Sequence, residues 1–217
     1  MKLVLFDCDG TLVDSAHLIH AVMERTFETF GYERPTLAQT KSIIGLTLDI
    51  AIARIQGKEH ADEEAVRMMA YYKSIFLEVR SEPGFHEPLF DGIAPLLEKL
   101  AARDDVLIGA VTGKSRRGLN AVLETHGFAP HFIVSRTADD CPSKPHPAMV
   151  SECCDETGVK PAETVVIGDA VYDMQMAKAA GAKAIGVSWG YASVDDLWKA
   201  GADRIAARAD DLHEMIF

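Results

Sequence analysis

The 217-residue sequence lacks any apolar run near the roughly 18 consecutive residues that a membrane span requires. Its first apolar stretch, Leu3-Val4-Leu5-Phe6, is short and runs straight into two aspartates, so it does not read as a secretory leader and a cytoplasmic protein is expected. Cysteine is scarce: Cys8, Cys141, Cys153 and Cys154 include no C-x₂-C pair, which argues against a zinc site. Without a leader these thiols are expected to be reduced. Positive charge is also short. Lys and Arg number 22 against 33 Asp and Glu, a net charge of −11. Such a surface repels nucleic acid and anionic membranes, and neither is an expected partner. A small anionic substrate stays compatible, because a metal and a lysine within one cleft can reverse the field locally. No internal repeat or low-complexity segment is present.

What the sequence does contain is a rhythm of short apolar runs separated by helical patterns. Leu3–Phe6, Val106–Val111, Phe132–Val134, Thr164–Ile167 and Ala184–Val187 read as strands buried on both faces, with a shorter run at Arg204–Ala206. After Ser115, the residues Leu119, Val122, Leu123 and His126 share a helical face that Gly127 terminates. Pro147 opens a helix ending near Gly158, and a third follows Asp169 and stops at Gly181. Alternation of this kind predicts a parallel sheet with helices on both sides. Residues 15–87 break the rhythm. Leu18, Ile19, Val22, Met23, Phe27 and Phe30 recur at helical spacing, as do Ala65, Val66, Met69, Tyr72 and Phe76, and Ile50–Ile55 also looks helical. The expected architecture is therefore α/β, a Rossmann-like core from residues 1–14 and 88–217 with an all-helical insert at 15–87. Glu82–Pro88, rich in Pro and Gly, is the return linker.

The chemistry-bearing residues fall at strand ends. Asp7-Cys8-Asp9-Gly10-Thr11-Leu12-Val13-Asp14-Ser15 places two carboxylates after the first strand, and alternation points Asp7 and Asp9 the same way. Ligands of open parallel sheets bind at these carboxyl ends. Two neighbouring carboxylates call for a cation or a shared proton. Thr112-Gly113-Lys114-Ser115 offers a hydroxyl and backbone N–H groups at a helix start, suited to phosphate. It is not a P-loop, since the first glycine of that motif would fall on Ile108. Ser143-Lys144-Pro145-His146-Pro147 holds a lysine in a stiff loop. Asp169, after the fourth main apolar run, and Asp173, four residues on, can face one point, and paired carboxylates of this kind suit Mg²⁺.

In this order and spacing the set resembles the four motifs of the haloacid dehalogenase superfamily. The helical insert is similar to the cap of its phosphoglycolate phosphatase-like branch. Two positions depart from the usual pattern: Gly113 stands where relatives often carry Asn, and Ala170 where they often carry Thr or Ser. The resemblance implies a phosphatase in which Asp7 attacks phosphorus and Asp9 serves as general acid and then base. Thr112, the N–H of Gly113 and Lys144 would hold the phosphoryl group. Mg²⁺ would sit among Asp7, the backbone of Asp9, Asp169 and Asp173. The stretch Ile43–Asp49, with Gly45, Thr47 and Asp49, is similar to the cap loop that reaches into the site and selects the substrate. The expected partner is a small phosphorylated metabolite, with 2-phosphoglycolate the first candidate. No Lys or Arg lies within Ile43–Asp49, and Lys41 and Arg54 are candidate carboxylate clamps only by proximity. Pyrophosphate, sugar or nucleoside phosphates and a sugar phosphomutase reaction stay open, and Trp189 and Tyr191 are further candidates for the cleft wall. A phospho-Asp receiver switch is a distant alternative, because there the acidic pair precedes the acceptor.

Overall fold

Runs rich in Val, Ile and Leu form six strands: β1 (Lys2–Phe6), β2 (Val106–Val111), β3 (Phe132–Arg136), β4 (Thr164–Gly168), β5 (Lys183–Val187) and β6 (Arg204–Ala206). The computed structural model describes all residues, 1–217. Every strand pair is parallel, and the order is β3-β2-β1-β4-β5-β6. The order reverses direction beside β1, which makes the crevice between the ends of β1 and β4 the expected ligand site. Four helices follow β1 with no strand among them: α1 (Ala16–Thr29), α2 (Leu37–Ile43), α3 (Leu48–Ile55) and α4 (Glu63–Arg80). Six more accompany the remaining strands: α5 (Ile93–Ala101), α6 (Arg116–Thr125), α7 (Ala148–Thr157), α8 (Val171–Ala179), α9 (Val194–Lys199) and α10 (Ala209–Ile216).

Alternation along β1 explains the layers. Val4 and Phe6 pack with Ile93, Leu119 and Leu212, the face covered by α5, α6 and α10. Leu3 and Leu5 pack with Met149, Met174 and Leu197 under α7, α8 and α9. Asp7 and Asp9 continue the odd series while Cys8 remains with the even one, buried in the first cluster. The helical segment has a core of its own, built on Leu18, Met23, Phe27, Ile52, Met68 and Tyr72. Burying a side chain such as Phe27 contributes roughly 1.5–3 kcal/mol. Local signals set the helix starts: Thr36 and Gln39 form a capping box for α2, and Asp62 accepts the Ala65 N–H at 2.9 Å to start α4.

The segment leaves and rejoins the sheet through adjacent strands of chain. Val13 bridges Leu89, the Asp14 N–H donates to the Pro88 carbonyl at 2.9 Å, and the Phe90 N–H donates to that of Leu12 at 3.0 Å. One detail differs from the sequence pattern. Val66 lies outward at 47% exposure, and Met68 takes the inward place beside Ala65 and Tyr72. The helical period allows either register, and packing against α1 and α3 selects the second. Helices α2, α5, α9 and α10 have no counterpart among the helices expected from the sequence, although α5 carries Ile93, Leu96, Leu97 and Leu100 at helical spacing, all buried.

Candidate active site

The parallel register brings the strand-end carboxylates together. Phe6 pairs with Ile167, and the Asp7 N–H donates to the Ile167 carbonyl at 2.9 Å, so Asp7 and Asp169 emerge side by side. One oxygen from each of Asp7, Asp169 and Asp173 lies within 4.8 Å of the others, and all three residues are buried. A single lysine faces this group. Lys144 Nζ donates to Asp7 Oδ1 at 2.8 Å and to Asp173 Oδ1 at 2.6 Å, with its side chain wholly enclosed. The lysine in the stiff loop is thus a buried ion-pair centre. Burial alone would pull its pKa down, but Asp173 and Asp7 hold it above the ordinary value.

Asp7 is short of partners. Its Oδ2 is buried with no hydrogen-bond partner. Burial pushes its carboxyl up to about 7, with Lys144 opposing the rise and Asp173 and Asp9 adding to it. Burial, then Asp7 and Asp173, likewise raise Asp169 well above the usual carboxylate range. Asp169 is nonetheless fixed in place: Thr11 donates to Oδ1 at 3.0 Å and the Tyr191 N–H to Oδ2 at 2.8 Å. Glycine makes this approach possible. A Cβ at Gly190 would stand 2.1 Å from the Asp169 Cβ. Asp173 Oδ2 accepts the Ala170 N–H at 3.0 Å. An orphaned buried oxygen within a cluster of hard carboxylate donors fits Mg²⁺, which prefers oxygen ligands and retains waters.

The Asp9 side chain turns away from this cluster. Its Oδ1 accepts from the Ser15 hydroxyl at 2.6 Å and from Lys114 Nζ at 2.7 Å. Lys114 also donates to Glu87 Oε1 at 2.9 Å, and Glu87 meets Arg80 at 3.0 Å. Buried Glu87 and Lys114 thus tie the carboxylate of Asp9 to the return linker and to the end of α4. Reading the sequence missed both residues. Lys114 stood out only as a false P-loop lysine, and Glu87 sits in a linker where a solvated carboxylate is the ordinary expectation. Thr112, buried at the end of β2, accepts the Lys114 N–H at 3.2 Å through its own hydroxyl oxygen.

The loop before α3 reaches this place. A Cβ at Gly113 would lie 2.5 Å from the Leu46 carbonyl oxygen and 2.6 Å from that of Gly45. Gly45 adopts φ +104°, a conformation that favours glycine. The Thr47 N–H donates to Ser143 Oγ at 2.9 Å, next to Lys144. Gly45, Thr47 and Asp49 line the same cavity as Asp9 and Gly113. Lys41 and Arg54 do not line it, and Lys41 stands over the Tyr191 ring at 5.4 Å. The basic residues on the cavity come instead from α4, from the loop after β2 and from α6: Lys73, Arg80, Lys114 and Arg117. Trp189 and Tyr191 are not part of its wall either. Trp189 donates to the Thr11 carbonyl at 3.1 Å, and the Tyr191 hydroxyl accepts from the N–H groups of Ser15 and Ala16, so both brace the first motif.

The chain is similar to several known proteins along most of its length. A phosphoglycolate phosphatase of Vibrio parahaemolyticus is 26% identical over 100% of this chain and 96% of its own length. "Probable phosphatase IndB" of Dickeya dadantii is 32% identical over 90% of the chain and 84% of its own length. The crystal structure of a protein described as a predicted phosphatase from Clostridium acetobutylicum superimposes with a TM-score of 0.86 at 27% identity, covering 99% of this chain and 97% of the other. Residues 4–187 match the family of haloacid dehalogenase-like hydrolases, and the chain belongs to that family.

Proposed function

We propose that this protein is a Mg²⁺-dependent phosphatase that cleaves small phosphate monoesters through an aspartyl-phosphate on Asp7. The observation that carries the reading is the free Asp7 Oδ2, buried beside Lys144 and the Asp169–Asp173 pair. A carboxylate needs no base to act as nucleophile, but its approach to a phosphate dianion needs positive charge. Lys144 supplies one such charge beside Asp7, whose two oxygens would divide the tasks of attack and metal binding. Asp7, Asp169, Asp173 and the backbone of Asp9 would hold Mg²⁺, which supplies charge neutralisation for the phosphoryl oxygens. The Thr112 hydroxyl and the Gly113 N–H grip those oxygens.

Asp9 protonates the departing alkoxide and then takes a proton from the water that cleaves the acyl phosphate. Ser15 and Lys114 hold its carboxylate toward the leaving-group side. Residues 15–87 act as a cap that excludes water from the first step. Support for this division comes from the separate core of α1–α4 and the paired chain at Val13 and Leu89. The loop bearing Gly45, Thr47 and Asp49 selects the substrate. The names of relatives make 2-phosphoglycolate the first ester to assay.

The test is phosphate release from a panel of esters by wild type and Asp7→Asn, with ³²P-labelled substrate quenched in acid to trap the acyl phosphate. Asp7→Asn loses at least about a thousandfold in kcat, as expected when a nucleophile is removed. Full activity in that variant, without reversion to Asp, overturns the mechanism.

A further inference from the structure

The cavity beside Asp9 is large and apolar for a two-carbon leaving group. It has a volume of about 640 Å³, within the roughly 300–1,000 Å³ range of pockets that enclose ligands of several rings. Asp9, Gly113 and Ser143 are among its lining residues. Its walls include Met23, Leu46, Met69, Tyr72 and Phe76. Three of its four cations are already engaged. Lys114 is held by Asp9 and Glu87, Arg80 by Glu87, and Lys73 faces Asp139 at 3.7 Å. Arg117 is exposed. No buried cation is left to pair with a carboxylate or second phosphate on the leaving group, and an unpaired anion against this wall would forfeit its hydration.

We infer that the leaving group is an alcohol with a ring-bearing or branched apolar body and no second anionic group, seated between Tyr72 and Phe76 on α4 and Met23 and Leu46 opposite. This rests on the phosphatase reading and names the substrate class of that site. Water leaving the wall favours each added apolar carbon, so kcat/KM should rise about fourfold per methylene buried. Hydrolysis is balanced by one water: an Asp7 oxygen bonds to phosphorus as the P–O bond to the alcohol breaks, the departing alkoxide takes a proton from Asp9, and water then attacks the acyl phosphate, returning a proton to Asp9 and releasing Asp7 and inorganic phosphate.

The experiment measures kcat/KM with Mg²⁺ for methyl, butyl and benzyl phosphate, 2-phosphoglycolate and glucose 6-phosphate, whose ester bonds all leave simple alkoxides. Benzyl phosphate should exceed methyl phosphate and 2-phosphoglycolate by at least tenfold, a gain at the low end of burying one aromatic side chain. The half-buried Phe76 can be truncated with little risk to folding, and Phe76→Ala should lower the benzyl-to-methyl ratio about tenfold. If 2-phosphoglycolate or glucose 6-phosphate is the better substrate, the phosphatase reading stands and this inference falls. An unchanged ratio in Phe76→Ala also overturns it. If no ester is hydrolysed, the phosphatase reading itself has failed.

Discussion

Replacing Asp7 with Asn should make the metal-free protein more stable at neutral pH while it destroys activity. Asp7 shares a buried site with Asp169 and Asp173, and one lysine faces the group. Its carboxyl is raised from 3.8 to about 7, chiefly by burial. Below about pH 4 the group is protonated in both the folded and unfolded chains, and it costs nothing. Between about pH 4 and pH 7 the unfolded chain releases its proton while the folded one retains it, so stability falls as pH rises. A rise of this size corresponds to about 4 kcal/mol once pH exceeds 7. Asn is isosteric and escapes this cost, and the opposing pull of Lys144 is already contained in the raised value. The net gain is about 4 kcal/mol near pH 7.5, or a melting temperature higher by roughly 8–16 °C for a chain of this size. At pH 4.5 the gain should shrink to about 1 kcal/mol. The assay is thermal unfolding of both proteins in excess chelator at the two pH values. An Asn variant no more stable than wild type at pH 7.5, or a difference unchanged at pH 4.5, would refute the argument that burying the charge of Asp7 costs stability.

Three other outcomes follow from the same geometry. Mg²⁺ should raise the melting temperature more at pH 7.5 than at pH 5, because it favours ionised Asp7 and Asp169, while chelator abolishes turnover and Ca²⁺ inhibits through its looser, larger coordination. Thermal shifts and phosphate-release rates with each ion read this directly, and turnover undiminished in excess chelator would contradict it. Lys114→Met should lower kcat for alkyl phosphates about 10–100-fold, up to the low end of what general acid catalysis contributes, yet spare p-nitrophenyl phosphate, whose leaving group needs no proton. Equal losses on both would show that Lys114 does not act by positioning Asp9. Substitutions of Thr47 or Asp49 should alter relative kcat/KM across an ester panel more than they alter the Mg²⁺ concentration for half-maximal rate, and the reverse pattern would move substrate selection off this loop.

The sheet and its site were legible because each strand carries its own signal. Four apolar residues before Asp7, and the run Thr164–Ile167 before Asp169, place both acids at carboxyl ends whichever helices surround them. The parallel order then follows from the helical crossovers. The partners of Asp9 were not legible, because Lys114 and Glu87 acquire meaning only when the return linker folds beside α6. The inward register of α4 was equally hidden. Val66 and Met68 are both apolar, and only the neighbouring helices decide which one is enclosed.

The two departures from the family pattern have a shared position that spacing alone could not reveal. Gly113 and Ala170 lie on different strand ends, yet both face the same loop. Carbonyl oxygens of Gly45 and Leu46 occupy the space a Gly113 side chain would need. A Cβ at Gly45 would meet that of Ala170 at 3.4 Å. An Asn at 113 would have to displace this loop, and a Thr at 170 would crowd it at the same point. Small residues on both sides let the loop settle onto the phosphoryl end of the cleft, where the Thr47 N–H reaches Ser143 beside Lys144. The loop thereby closes the inner end of the cavity with backbone, and the side chains of α1 and α4 form its outer wall. On the proposed phosphatase reading the core would fix the phosphoryl chemistry, while discrimination among alcohols would be shared by the loop bearing Thr47 and Asp49 and the apolar side chains beyond Asp9.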